Sequence, residues 1–141
     1  QKINGALSNI SASNENYVWG VNAKDNIYVC KKPCTNADWN QINGSLKQVS
    51  GGEKEVWGIN ESNNIYKRNV DGSGSWKGMK GVLTNISASG KDYIWGVNDL
   101  IEEISSVGRA VNCPRLLYFY EENTEGFVQF LIHNGRLDSE N

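Results

Sequence analysis

Residues 17–30 read YVWGVNAKDNIYVC, residues 56–66 read VWGINESNNIY, and at Tyr93 the string YIWGVND starts the pattern a third time. Extended outward, the three copies are LSNISASNENYVWGVNAKDNIYVC from Leu7, LKQVSGGEKEVWGINESNNIYKR from Leu46 and LTNISASGKDYIWGVND from Leu83. The first and third agree at 11 of 17 positions without a gap. Trp19, Trp57 and Trp95 stand 38 residues apart, and Trp39 and Trp76 stand 37 apart. A fixed period of this size marks a repeat architecture, in which each unit covers its apolar surface with its neighbours.

Within one period the apolar residues fall into four short runs, ISAS, YVWGVN, NIYVC and WNQING, each bounded by Asn, Gly, Asp, Ser or Pro. Runs of this length, rich in Val, Ile, Tyr and Trp, read as strands, and helical spacing is absent. The polar pieces AKDN and ESNN between the second and third runs suit hairpin turns, because Asn and Asp tolerate left-handed backbone. Apolar residues fill the runs too densely for one face alone, so both faces of each small antiparallel sheet need a cover. Stacking such sheets about an axis gives a β-propeller, with short, protected strand edges. The expected fold is therefore all-β, a propeller of four-stranded antiparallel blades. Gly20, Gly58 and Gly96 directly follow the period-setting tryptophans. A missing Cβ there is expected to admit the indole of the adjacent blade.

The chain has 141 residues, the size of one domain. Its 14 basic and 16 acidic residues leave a net charge of −2, which offers no basic footprint for nucleic acid. The balance is uneven: residues 1–98 hold 11 Lys/Arg against 8 Asp/Glu, and residues 99–141 hold 3 against 8. The expected organisation is 1–98 as propeller repeats, with blades near 7–45, 46–82 and a partial one at 83–98, followed by a divergent acidic tail over 99–141. The tail carries two strand-like runs, RLLYFY and FVQFLI, which suit a hairpin, with nothing in the sequence to assure them a partner surface. On the repeat alone the ring is incomplete, at about two and a half blades. A fragment, an altered tail, or self-association of copies to complete the propeller would each account for that.

No apolar run is long enough to cross a bilayer as a helix. The first residues, QKINGALSNIS, lack the pattern of a secretory signal. Enzyme chemistry has little support. The single histidine, His133, lies in the tail, as do Glu102–Glu103 and Glu121–Glu122, whose members are sequence neighbours and point opposite ways on a strand. No metal-ligand spacing or phosphate-cradling glycine motif occurs, and no cofactor is expected. Cys30 and Cys34 bracket KKP, a span that permits a disulfide; free thiols and one half of a zinc site are the alternatives, and Cys113 has no evident partner.

The linked strings VWGVNAKDNIY, VWGINESNNIYKR and IWGVND, with ISAS or VSGG before them, resemble tectonin repeats. Together with CKKPC and WNQINGSLKQVS they look most like fish-egg lectins and the tachylectin-type lectins of horseshoe-crab haemocytes, over residues 2–98. That resemblance implies a secreted propeller that binds N-acetylglucosamine or galactose-type sugars and bacterial surface glycans, lipopolysaccharide among them, in egg or innate-immune defence. It also implies disulfides across short loops, which favours a Cys30–Cys34 bridge. Looser relatives act inside cells, so a protein-interaction propeller is the alternative function, and a truncated product without binding activity is another.

Candidate sugar contacts follow from what a pyranose needs: an aromatic face and fixed hydrogen-bonding groups. Trp39 and Trp76 open the fourth strands near loops. Asn22, Asn60 and Asn98 precede the hairpin turns, with Asp25, Asn26, Asn63 and Asn64 beside them. The plain alternative for these residues is turn formation, and for Trp19, Trp57 and Trp95 it is packing between blades. Lys31, Lys32, Lys67 and Arg68 are either a solvated edge or a contact for anionic glycans. Asn9, Asn43, Asn60 and Asn85 each begin a glycosylation sequon.

Overall fold

The computed structural model describes residues 2–90 and 93–98, and as backbone strands residues 116–120, 128–133 and 136–139. Among the described residues, three antiparallel sheets account for every strand. The first holds β1 (Asn9–Ala12), β2 (Tyr17–Val21), β3 (Ile27–Lys31) and β4 (Trp39–Ile42), side by side in chain order. The second repeats the arrangement with β5 (Gln48–Gly51), β6 (Glu55–Ile59), β7 (Asn64–Asn69) and β8 (Lys77–Val82). The third runs through β9 (Asn85–Ser89), β10 (Tyr93–Asn98), β11 (Leu116–Tyr120), β12 (Val128–His133) and β13 (Arg136–Ser139). The chain is thus an incomplete propeller of the expected class.

Register repeats with the sequence. Trp19 pairs with Ser11 on one side and Val29 on the other, Trp57 with Ser50 and Lys67, and Trp95 with Ser87. The hairpins that fix this register are closed by asparagine: the Asn22 amide oxygen accepts from the backbone N–H of Lys24 and of Asn26, and the Asn60 oxygen accepts from that of Asn64. Asp25 and Asn63 take φ of 62° and 66°, the left-handed geometry these residue types tolerate.

Alternation along the strands sends side chains to both faces, and both are used. Trp19, Val21, Ile27 and Val29 meet Val49, Val56, Tyr66 and Trp76 between the first and second sheets. Trp57, Ile59 and Ile65 meet Leu83, Ile86 and Ile94 between the second and third. Trp19 is fully buried, donates from Nε1 to the Val70 carbonyl at 2.8 Å, and presents its ring edge-on to Trp76 with centroids 5.9 Å apart. An indole buried to this extent contributes up to about 4–6 kcal/mol from area alone. Trp95 departs from the pattern. It is 37% exposed where Trp19 and Trp57 are at 0% and 1%.

The sheets are also stitched at their first strands. Asn9 Oδ1 accepts from the Val49 N–H and Ser11 Oγ from the Gly51 N–H. One sheet further on, Gln48 bonds both the N–H and the carbonyl of Ile86, and Ser50 Oγ accepts from the Ala88 N–H. These are edge-strand groups with no neighbour in their own sheet, and the preceding sheet's side chains satisfy them.

One expectation changes and one open point is resolved. The glycines after the tryptophans do not admit a neighbouring indole: a Cβ on Gly20, Gly58 or Gly96 would lie 2.5, 2.4 or 2.3 Å from a Cδ1 of Leu7, Leu46 or Leu83. The space is taken by the leucine that opens the same repeat, folded across its own sheet. The tail runs do find a surface. β11 pairs with β12 as a hairpin, and β11 also runs along β10, with Ile94 opposite Tyr120 and Asn98 opposite Leu116. Cys113, Glu102–Glu103 and Glu121–Glu122 lie outside the described residues.

Gly58→Ala is expected to lower unfolding free energy by about 1–3 kcal/mol through overpacking against Leu46. In urea denaturation the double variant with Leu46→Ala should lose less than the two single losses combined, since removing the leucine vacates the clash.

Candidate functional site

A cavity of about 590 Å³ opens on the face of the first sheet turned away from the second, within the usual size of small-molecule sites. Its walls are residues 3–7, Ile10, Asn22, Tyr28, Asn36 and Trp39. Each wall has a local cause. Tyr28 lies between Ile27 and Val29 on β3, and since those two face the second sheet, alternation turns the tyrosine to the opposite side. Trp39 starts β4 in register with Cys30. Cys30 and Cys34 are joined by a disulfide with Cα atoms 5.5 Å apart, which folds the chain back between β3 and β4 and brings Asn36 beside the tryptophan. The backbone N–H of Asn4 donates to Asn36 Oδ1 at 2.7 Å, fastening the first residues across the opening.

The loop that carries Asn36 is held by Asp38. Its Oδ2 accepts from both the hydroxyl and the backbone N–H of Thr35 at 2.7 Å, and its own N–H donates to the Thr35 carbonyl. The Thr35 hydroxyl, followed by the Thr35 N–H, holds the Asp38 carboxyl below its ordinary range, because both donors favour the charged form.

Of the residues singled out from sequence, Asn22 and Trp39 meet in this cavity and the others do not. Asn22 has its oxygen engaged in the hairpin, which leaves its Nδ2 for a ligand. Asn26 donates into the same hairpin. The Asp25 and Asn63 carbonyls accept from the N–H of Leu46 and Leu83, tying each hairpin tip to the start of the next sheet. Asn63 Oδ1 also receives the Lys47 ammonium. Asn60 and Asn64 close the second hairpin, and Asn98 is 2% exposed with its Nδ2 donating to the Val82 carbonyl. Trp76 packs against Trp19 and donates from Nε1 to the Asn43 carbonyl, with the Arg68 guanidinium 5.7 Å above its ring. Lys67 pairs with Glu55 at 3.1 Å and lies over Trp57. Asn9 is engaged by Val49, whereas Asn43 and Asn85 are exposed.

Sequence reasoning missed Tyr28, Asn36 and residues 3–7. For Tyr28 the signal was present in its match to Tyr66 one period on. Nothing marks Asn36, whose position depends on the bridge and on Asn4. Among the described residues no group of three or more His, Cys, Asp or Glu comes together, and no helix is long and apolar enough to cross a membrane.

A family model for the Tectonin domain matches residues 1–107. The chain belongs to the tectonin domain family. It is 53% identical over 93 residues to Lectin L6 of Tachypleus tridentatus, a match that takes in 66% of this chain and 42% of that protein's length. In fold it is similar to the crystal structure of human WBSCR16, with a TM-score of 0.59 over 92% of this chain and 39% of the other, at 9% identity.

Compared as two tectonin sheets, the first and second differ in what covers the Tyr/Trp face. Tyr66 and Trp76 are packed against the Trp19 cluster, while the matching Tyr28 and Trp39 line open space. Since the folded pKa of Asp38 is depressed, its contribution to the tectonin loop is fully present above the ordinary carboxylate value of about 3.9 and is lost as pH falls through the lowered one. An NMR titration of the Asp38 carboxyl should therefore give a midpoint below that value, and Thr35→Ala should move the midpoint upward.

Proposed function

We propose that this tectonin chain binds carbohydrate without altering it, and that one saccharide site is the cavity bounded by Trp39, Tyr28, Asn22 and Asn36. The observation that carries this is the pairing, in one concave space, of two aromatic side chains with planar amides. Aromatic rings cover the apolar face of a pyranose, and amides supply both donors and acceptors to its hydroxyls. The likeness to Lectin L6 supports the same reading. The sugars implied are of the N-acetylglucosamine or galactose type, including those of bacterial surface glycans such as lipopolysaccharide. The Cys30–Cys34 bridge supports an extracellular setting, because such bonds persist in oxidising compartments. Of the cationic candidates, Lys67 and Arg68 are engaged within the second sheet, whereas Lys31 and Lys32 are exposed on the first.

Retention of the full chain on immobilised N-acetylglucosamine, with release by the free sugar, tests the function. Trp39→Ala should weaken binding about ten-fold or more, equivalent to about 1.4 kcal/mol, with the near-ultraviolet dichroism otherwise retained. If neither N-acetylglucosamine nor galactose resin holds the chain, or if Trp39→Ala and Tyr28→Ala both bind as the parent does, the cavity is not the site.

A further inference from the structure

Two amides of the Trp39 cavity are already committed on one side, and it is the same side in both. Asn22 Oδ1 accepts from the backbone N–H of Lys24 and of Asn26, each at 3.0 Å, and Asn36 Oδ1 accepts from that of Asn4 at 2.7 Å. A backbone N–H only donates, so the atom it meets must be the oxygen, and the orientation of both amides is fixed. Two donors fill the lone pairs of the Asn22 oxygen, and the Asn36 oxygen is held against the segment that crosses the opening. What each side chain retains is its Nδ2, and among the described residues neither Nδ2 has a partner. Trp39 adds an indole N–H, which also only donates, while the Tyr28 hydroxyl and the Asn4 side chain work in either sense. Among the described residues no Asp, Glu, Lys, Arg or His lines the cavity, and Ala6, Leu7 and Ile10 give it apolar surface.

We propose that Asn22 and Asn36 determine specificity at this site, selecting a saccharide that bears an N-acyl group whose carbonyl oxygen accepts from their Nδ2 groups. The proposal rests on the saccharide reading of the cavity and narrows it. A sugar hydroxyl both donates and accepts, and against these two amides only its accepting half is used, whereas an acyl carbonyl only accepts. The acyl methyl finds the apolar surface of Ala6, Leu7 and Ile10. A carboxylate also brings accepting oxygens, but no cation lines the cavity to offset the cost of desolvating its charge. An ammonium substituent brings donors alone and leaves both Nδ2 groups without a partner, which costs more than a bond that was never made. Selection therefore falls on the substituent, and applies equally to a gluco and a galacto ring.

NMR titration of the full chain with free monosaccharides tests this. N-acetylglucosamine and N-acetylgalactosamine should each bind about ten-fold or more tighter than glucose and galactose, with glucuronate no tighter than glucose and glucosamine the weakest. Asn36→Asp and Asn22→Asp keep the oxygen that the Asn4, Lys24 and Asn26 N–H groups require and replace the donor with an acceptor. Each should bind the N-acetyl sugars about ten-fold or more weakly and glucosamine more tightly than the parent does, with the backbone chemical shifts otherwise retained. Should Asn22→Asp disturb the hairpin, Asn36→Asp, at an exposed position, carries the test. Equal affinity for the N-acetyl sugars and their parent hexoses, tighter binding of glucuronate, or undiminished affinity in both Asp variants overturns the assignment, while a saccharide site that Trp39→Ala weakens would still stand. If no sugar binds the parent chain, the saccharide reading itself falls and the assignment falls with it.

Discussion

The structure depends on how the first strand of each sheet disposes of its unpaired edge. A four-stranded sheet has two edges, and an edge left bare exposes a row of backbone N–H and C=O groups. Here the inner edge is satisfied from outside the sheet: Asn9 and Ser11 serve Val49 and Gly51, and Gln48 and Ser50 serve Ile86 and Ala88. Each such bond contributes about 0.5–1.5 kcal/mol net, but leaving the group buried and unbonded costs about 1–3 kcal/mol. That asymmetry makes the stacking specific. The indoles Trp19 and Trp57 give most of the attraction between sheets, while the polar ladder fixes the offset at which they meet.

This division of labour explains what could be read from sequence. The 38-residue spacing of Trp19, Trp57 and Trp95 gives the repeat, and β-rich runs of four to six residues give the sheets, because both signals are local and periodic. The turn role of Asn22 and Asn60 was legible for the same reason, each lying one hairpin's reach from the residue it bonds. The leucine beneath each glycine was not. Leu7 stands 13 residues before Gly20, and only the folded path of the sheet brings them together. A glycine after a tryptophan invites an account in terms of that tryptophan; the contact that requires it comes from the other end of the repeat.

The candidate site was half legible, and its missing half has a physical reason. Trp39 and Asn22 belong to the repeat, so their roles in strand and turn follow from position. Asn36 sits in a segment where the first repeat differs from the second, CKKPCTNAD against RNVDGSGS, and it is the bridge that makes a scaffold of that loop. In the second sheet the matching segment does a different job: Asp71 accepts from Ser73, and the Val70 carbonyl receives Trp19. One repeat position has become a packing element in one sheet and the wall of a cavity in the other.

The same comparison bears on why equivalent residues need not have equivalent functions. Trp39 and Trp76 were both candidate sugar contacts from the sequence, and Tyr28 and Tyr66 match one another across the period. One difference between them is that the first sheet packs against Tyr66 and Trp76. Trp76 has Trp19 at 5.9 Å and gives up its surface to packing; Trp39, at the matching repeat position but opposite Cys30, lines a cavity. An aromatic residue that the repeat places at a packing position is, where it lines a cavity instead, already oriented by its strand and here has Asn22 and Asn36 beside it. Those are requirements of the saccharide platform proposed above, and on that proposal Trp76 and Trp39 differ in their surroundings and not in their chemistry.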